Sequence, residues 1–218
     1  MITHLFVTGT DTEVGKTRIS VGLIKVLQQQ GLKVAAMKPV ASGCEWQDGQ
    51  LQNEDALALS QQADIKLPYS QINPYAFEPA IAPHLAAEQI GQSISLDVIE
   101  TNFAAMKLQA DAIVVEGAGG WLVPLNDQQT IADLAKALQL PVVLVVAIKL
   151  GCINHALLTV QAIAACGLKL EGWVANDFLQ DTQSTSIIQS LTQRIAAPCM
   201  GIVPKLAADE DASFYLKL

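Results

Sequence analysis

Leu5-Phe6-Val7 is a short apolar run. It passes through Gly9-Thr10-Asp11-Thr12-Glu13-Val14-Gly15-Lys16-Thr17 into Ile19, Leu23, Val26 and Leu27, which recur at helical spacing until Gly31. A strand that turns through such a loop into a helix brings free backbone N–H groups and the positive helix end to one point, which favours a polyphosphate. In a P-loop the lysine reaches the β- and γ-phosphates and the following hydroxyl binds Mg²⁺. Lys16 and Thr17 are candidates for those roles, and Glu13, Val14 and Gly15 complete the nucleotide-binding stretch. The loop departs from the G-x-x-x-x-G-K-[ST] spacing, because Thr10 stands where the first glycine belongs and Gly9 lies one residue earlier.

The rest of the chain alternates in the same way. Val34–Met37 reads as a strand, and Lys38 to Gly43 as a loop in which Pro39 and Gly43 stop regular structure. Residues 53–62 read as a short helix and 67–83 as a long loop holding four of the nine prolines. Helices are expected near 83–90 and 95–109. Ala112–Glu116 is a continuous apolar run closed by an acid, as in a strand covered on both faces. A helix near 130–138, the strand Val142–Ile148, a helix near 153–166, the strand Gly172–Asn176, a helix near 184–196 and a strand near 200–203 follow. The pattern predicts an α/β fold of the P-loop NTPase type, a mostly parallel sheet with helices on both faces. No repeat or linker divides the chain, so residues 1–218 are expected to form one domain. Ligands of such sheets bind beyond the carboxyl ends of the strands.

Composition narrows the function classes. Hydrophobic residues make up 51% and charged residues 16%, against about 25% charged in an average globular chain. That excludes disorder and suggests apolar surface buried between subunits. Thirteen basic and twenty-one acidic residues leave a net charge of −8, which repels nucleic acid and anionic lipid, so neither is an expected partner. Cys44, Cys152, Cys166 and Cys199 form neither a CxxC pair nor a zinc pattern and read as reduced thiols of a cytoplasmic protein. The start, Met1-Ile2-Thr3-His4, has no secretory character. The longest apolar run, Val142–Ile148, falls far short of the ~20 residues that span a bilayer, so no membrane association is expected.

Further candidates stand after strands. Glu116, followed by Gly117-Ala118-Gly119-Gly120, resembles the acidic end of a Walker-B strand and can hold Mg²⁺ directly or through water. Asp55 is either a second metal-side acid or simply a stabiliser of a helix N-terminus. Lys38 is either a second cation beside the γ-phosphate or a solvated surface residue. Gly151-Cys152-Ile153-Asn154 opens a helix whose free N–H groups suit a carboxylate, with plain capping by Asn154 as the alternative. Asn176 either pairs with the adenine edge or caps a turn. The acidic run Asp209-Glu210-Asp211 reads as a solvated turn.

Taken together, the P-loop variant, Lys38-Pro39-Val40-Ala41-Ser42-Gly43, Val115-Glu116-Gly117-Ala118-Gly119-Gly120, Lys149–His155 and Gly172–Asp177 closely resemble the dethiobiotin synthetase family over residues 5 to about 205. The resemblance implies a homodimeric, Mg²⁺-dependent ligase that converts 7,8-diaminononanoate, CO₂ and ATP into dethiobiotin, ADP and phosphate, the penultimate step of biotin biosynthesis. One substrate amine becomes a carbamate and the carbamate oxygen attacks the γ-phosphate. The second amine then closes the ureido ring as phosphate leaves the carbamic-phosphoric anhydride. The resemblance further implies that Lys16 holds the β/γ-phosphates and that Thr17, Asp55 and Glu116 surround Mg²⁺. Thr12, Lys38 and Ser42 would hold the carbamate end, and Glu13 contributes to the active-site loop. Gly151, Cys152 and Asn154 would bind the substrate carboxylate across the dimer interface, and Asn176 would recognise adenine with the Pro204 region. A switch or partition-type ATPase, the first alternative, usually carries a signature lysine where Asp11 stands here. The second, a related amide ligase, would need a glutaminase section for which 218 residues leave little room.

Overall fold

The computed structural model describes residues 3–207 and 210–218. Met1, Ile2 and Asp209, on which the readings of the chain's start and its acidic run partly rest, lie outside the described residues. The first half runs β1 (His4–Gly9), α1 (Lys16–Gln29), β2 (Val34–Met37), β3 (Val40–Ser42), β4 (Glu45–Gln47), β5 (Gln50–Gln52), α2 (Glu54–Gln62), α3 (Tyr69–Ile72), β6 (Tyr75–Phe77), α4 (Pro83–Gln89) and α5 (Leu96–Lys107). The second half runs β7 (Ala112–Gly120), α6 (Ile131–Leu138), β8 (Val142–Ala147), α7 (Cys152–Ala165), β9 (Leu170–Asp177), α8 (Ser184–Arg194), β10 (Cys199–Pro204) and a short 3-10 turn at Ala212–Tyr215.

Six strands form one sheet in the order β10-β9-β8-β1-β7-β2, and every neighbouring pair is parallel. The continuous apolar runs explain this, since each central strand must satisfy a core on both faces. Leu5, Val7, Val114, Val143 and Val145 point to the face covered by Ile19, Leu23, Ile24 and Leu27 of α1 and Leu59 of α2. Phe6, Ile113, Val115 and Val142 point the other way, against α4, α5 and α6. Leu144, Val146 and Trp173 pack with α7 and α8 on that second side. The four α1 residues are wholly buried, and each such burial contributes about 1.5–3 kcal/mol.

The structure corrects four expectations. Lys38 to Gly43 is not irregular throughout, because Val40–Ser42 forms β3, paired parallel with β6. Residues 67–83 are accordingly not one loop but hold α3 and β6. Two proline-interrupted segments satisfy one another's backbone, with Tyr75 N–H donating to Pro39 O at 3.2 Å and Cys44 N–H to Phe77 O at 2.9 Å. Strand β7 continues beyond Glu116 to Gly120, which pairs with Gly9, so Glu116 sits inside a strand rather than at its end. Asp211 is not merely solvated: its carboxylate pairs with Lys25 at 2.7 Å and accepts from Ser213 N–H at 2.8 Å. One element had gone unread, the β4–β5 hairpin. Its Asp48-Gly49 turn, with φ of 50° and 80°, is the Asp-Gly signal of a two-residue hairpin.

Candidate active site

The carboxyl ends of β1, β2 and β7 lie side by side, so the loops that leave them converge. The loop after β1 ends at Gly15, whose φ of +86° is left-handed and suits glycine. A Cβ there would stand 2.2 Å from Asn176 Nδ2. Asn176, at the end of β9, donates through that Nδ2 to Val14 O at 2.9 Å, so a side chain from another strand locks the loop. The missing glycine at position 10 is explained by the same packing. At Gly9 a Cβ would meet Val14 Cγ2 at 2.5 Å, because Val14 folds over position 9 and moves the need for glycine back by one residue.

Lys16 begins α1 and is 7% exposed. Its Nζ donates to Asp11 O at 2.9 Å. Burial, together with repulsion from Lys38, lowers its pKa to about 8 against the carboxylates nearby. A lysine so desolvated gains most when an anion arrives beside it.

Beside it lies a compact charged cluster. Lys38 Nζ, leaving β2, donates to Glu116 Oε1 at 2.6 Å and to Asp55 Oδ2 at 3.0 Å. The Thr17 hydroxyl lies 2.6 Å from Asp55 Oδ1 and 3.0 Å from Glu116 Oε1. Burial pulls the Lys38 pKa down, but Glu116 and Asp55 more than offset it and hold the ammonium above its usual range. For Asp55, burial raises the pKa, but the charge of Lys38, the hydrogen bonds from Thr17 and Lys38 and the nearby Lys16 together outweigh it, so the carboxyl lies below its ordinary value. Asp55 itself is placed by Asn53, whose Oδ1 accepts the N–H groups of Asp55 and Ala56 and so caps α2.

Thr17, Lys38 and Asp55 of this cluster line a cavity of about 760 Å³, whose walls also include Thr12, Ser42, Gly119 and the Ala80–Pro83 stretch. Two buried oxygens here have no protein partner among the described residues, Glu116 Oε2 and Ser42 Oγ. Buried polar atoms are seldom left unpaired, and these two belong to residues expected to touch ligands. A smaller cavity of about 260 Å³ lies on the other side of the loop, between Gly15, Asn176, Phe178 and Pro204. The two cavities share Glu13 and Gly15.

Thr12, Glu13, Val14, Gly15, Lys16, Thr17, Lys38, Ser42, Asp55 and Glu116 are therefore assembled together, with Asn176 and Pro204 adjoining. The Gly151–Asn154 group is not: it opens α7, with Gly151 at φ +88°, and lines neither cavity. Its neighbour Leu150 is 98% exposed. Sequence reasoning missed Asn53 as the cap that aims Asp55, although an asparagine ahead of two acids is an ordinary helix start.

The family model described as "AAA domain" matches residues 3–212. A Cellvibrio japonicus protein named ATP-dependent dethiobiotin synthetase BioD is 51% identical over 216 residues, covering 98% of this chain and 95% of that protein. A Pseudomonas aeruginosa protein of the same name is 52% identical over 205 residues, covering 92% and 89%. Another, from Yersinia pestis bv. Antiqua, is 46% identical over 212 residues, covering 97% and 88%. Among solved structures, the septum site-determining protein MinD of Pyrococcus horikoshii, complexed with Mg-ADP, aligns with a TM-score of 0.58 at 14% identity, over 94% of this chain and 82% of that one. The signal recognition particle receptor FtsY of Elizabethkingia anophelis, complexed with GDP, aligns at 0.54 and 14%, over 100% and 60%. At such identities these structures support the α/β fold of P-loop NTPases alone.

Proposed function

The chain belongs to the family of ATP-dependent dethiobiotin synthetases and is a ligase that uses ATP to form dethiobiotin in biotin biosynthesis; from that premise we propose that the cavity beyond β1, β2 and β7 is where the chemistry occurs, with residues 1–218 acting as one domain. The observation that carries this reading is the convergence of Lys16, Lys38, Thr17 and Asp55 on one cavity, with Glu116 buried directly behind Lys38 and Thr17.

ATP lies with its base toward Asn176 and Pro204 and its phosphates along Glu13, Val14, Gly15 and Lys16. Asn176 Nδ2 is engaged with Val14 O, which leaves its Oδ1 to accept from the adenine amino group. Lys16 exchanges the Asp11 carbonyl for the β/γ-phosphates. Thr17, Asp55 and Glu116 fit Mg²⁺, since all three offer hard oxygen donors and Glu116 Oε2 is buried without a partner. When bound, the metal supplies positive charge beside the transferring phosphoryl group.

At the other end of the cavity Thr12, Lys38 and Ser42 hold the carbamate formed from one amine of 7,8-diaminononanoate and CO₂. The carbamate oxygen attacks the γ-phosphorus and ADP departs. The second amine then attacks the carbonyl carbon, phosphate leaves, and the ring is closed. Lys38 acts as a fixed charge rather than as a base, because two carboxylates keep it protonated. The step needs cations and positioning but little acid–base machinery, and the cluster supplies that.

A homodimer completes the site. Leu150, just before α7, and Leu158, in its second turn, are exposed, and a second copy covering them would bring the Gly151, Cys152 and Asn154 N-terminus toward the substrate carboxylate. We assign the protein to the cytoplasm. Among the described residues all four cysteines are free, and no helix is long and apolar enough to cross a membrane.

The test is phosphate release from Mg-ATP with 7,8-diaminononanoate and bicarbonate added singly and together, alongside mass detection of product. Release that requires both, with dethiobiotin formed, is expected. Phosphate release by the wild-type enzyme but not by Lys16→Ala, with folding retained, is expected too. Full turnover by that variant would overturn the role of Lys16.

A further inference from the structure

Lys38 and Asp55 are both held from behind, and by the same residues. The Asn53 backbone N–H donates to Tyr69 Oη at 2.7 Å, and Tyr69 O–H donates onward to Asn73 Oδ1 at 2.9 Å. Asn73 Nδ2 in turn donates to Lys38 O at 2.7 Å and to Tyr75 O at 3.2 Å. At the other end of this chain Asn53 Oδ1 accepts from Asp55 N–H at 3.1 Å. The Lys38 N–H donates to Ile72 O at 3.0 Å, one residue before Asn73. A single relay therefore runs from the backbone of Lys38 to the first turn of α2. Asn53 and Asn73 are 8% and 3% exposed, so neither asparagine has solvent as an easy substitute for its partners.

We propose that Tyr69 and Asn73 are positioning residues of the reaction, setting the separation between the Lys38 ammonium and the Asp55 carboxylate. Neither reaches the cavity, so neither touches substrate. Their reason to matter is geometric. Lys38 leaves a strand of the main sheet, whereas Asp55 rides on a separate helix joined to it by the β4–β5 hairpin. The relay ties the backbone at Lys38 to the start of that helix, in addition to the Lys38–Asp55 ion pair and the packing of Leu59 against the α1 side of the sheet. Groups that orient active-site ligands from behind cost about 10–100-fold in activity or metal affinity when removed, as expected where small displacements weaken preorganised chemistry.

The inference rests on the roles proposed for Lys38 and Asp55, and the experiment separates the two. Tyr69→Phe removes one hydroxyl from the relay. Tyr75→Phe is its control, deleting a hydroxyl from the same segment that accepts Ser95 N–H at 3.0 Å, on a residue that lines neither cavity. For folded protein, Tyr69→Phe should lower kcat by about 10–100-fold with the KM for ATP nearly unchanged. It should also raise the Mg²⁺ concentration at half-maximal rate and shrink the gain in ADP affinity that Mg²⁺ confers in a binding titration. Tyr75→Phe should match the wild type in all four. Should Tyr69→Phe fail to fold, Asn73→Ser, which withdraws the amide donor from Lys38 O, is expected to give the same pattern. Variants of the relay that match Tyr75→Phe, while Lys38→Ala has lost turnover, would overturn the relay alone. Full turnover by Lys38→Ala would overturn the reading beneath it.

Discussion

Replacing Lys38 with methionine keeps most of the side chain's volume and removes only its charge, which makes it a sharp test of the buried cluster. The ammonium sits 2.6 Å from Glu116 Oε1 and 3.0 Å from Asp55 Oδ2. Glu116 is wholly buried and its second oxygen lacks a protein partner, so Lys38→Met strands a carboxylate left with the Thr17 hydroxyl at 3.0 Å. Breaking a buried ion pair from one side costs about 3–5 kcal/mol. The Asp55 side chain is 42% exposed, so solvent screens its share, and about 3–4 kcal/mol is the figure to expect. Against a total stability of about 5–15 kcal/mol that is severe, and it lowers Tm by about 6–16 °C in a chain of this size.

The assay is urea unfolding in the presence of a chelator, followed through the buried Trp173 and Trp121. Lys38→Met/Glu116→Gln should recover much of the loss, because it removes the stranded charge as well. Mg²⁺ should stabilise Lys38→Met more than it stabilises the wild type. The sign with pH follows from the two shifts. The raised Lys38 pKa makes its contribution complete below the ordinary 10.5 and lost only above it, while the lowered Asp55 pKa makes its part present above 3.8 and lost as pH falls below. The deficit of the mutant should therefore shrink as pH falls and acid protonates the carboxylates that Lys38 no longer pairs. A loss within about 1 kcal/mol of zero, typical of a surface pair, would refute the reasoning.

Three further outcomes are expected. At pH 9 about nine-tenths of a lysine with a pKa near 8 is neutral, so Mg-ATP binding should take up close to one proton per site, measured calorimetrically in buffers of different ionisation enthalpy, and Lys16→Met should take up none. Gly15→Ala should abolish nucleotide binding in a titration while circular dichroism stays native, since the left-handed backbone costs a side chain about 1–2 kcal/mol and the new Cβ collides with Asn176 at 2.2 Å. Leu158→Asp should shift sedimentation from dimer to monomer and reduce turnover; an unchanged dimer would remove α7 from the interface.

What could be read from the chain was local. The apolar runs announced the strands, glycines and prolines their ends, and the alternation of the two patterns the parallel α/β sheet. The stretch from Gly9 to Thr17 was legible because a phosphate site of this kind is built from consecutive residues, with its N–H groups, lysine and hydroxyl all within one turn of a single helix. Asp55, Lys38 and Asn176 were ambiguous by spacing, and only their likeness to a known family singled them out.

The tertiary structure decided what depends on neighbours across the sheet. Lys38 and Glu116 are 78 residues apart, and they meet because β2 pairs with β7. No pattern within either strand carries that information. Segments 38–43 and 67–83 looked irregular because each is too short and too rich in proline to hold a strand alone. They became β3 and β6 once each supplied the other's hydrogen bonds. Tyr69 and Asn73 were invisible for the same reason: a side chain that positions others is defined by what it touches, and every group they join to the site lies beyond their own short helix. The chain's local chemistry thus specified that a phosphate would be held and where the strands would run. Long-range pairing alone decided which charges would stand together beside it.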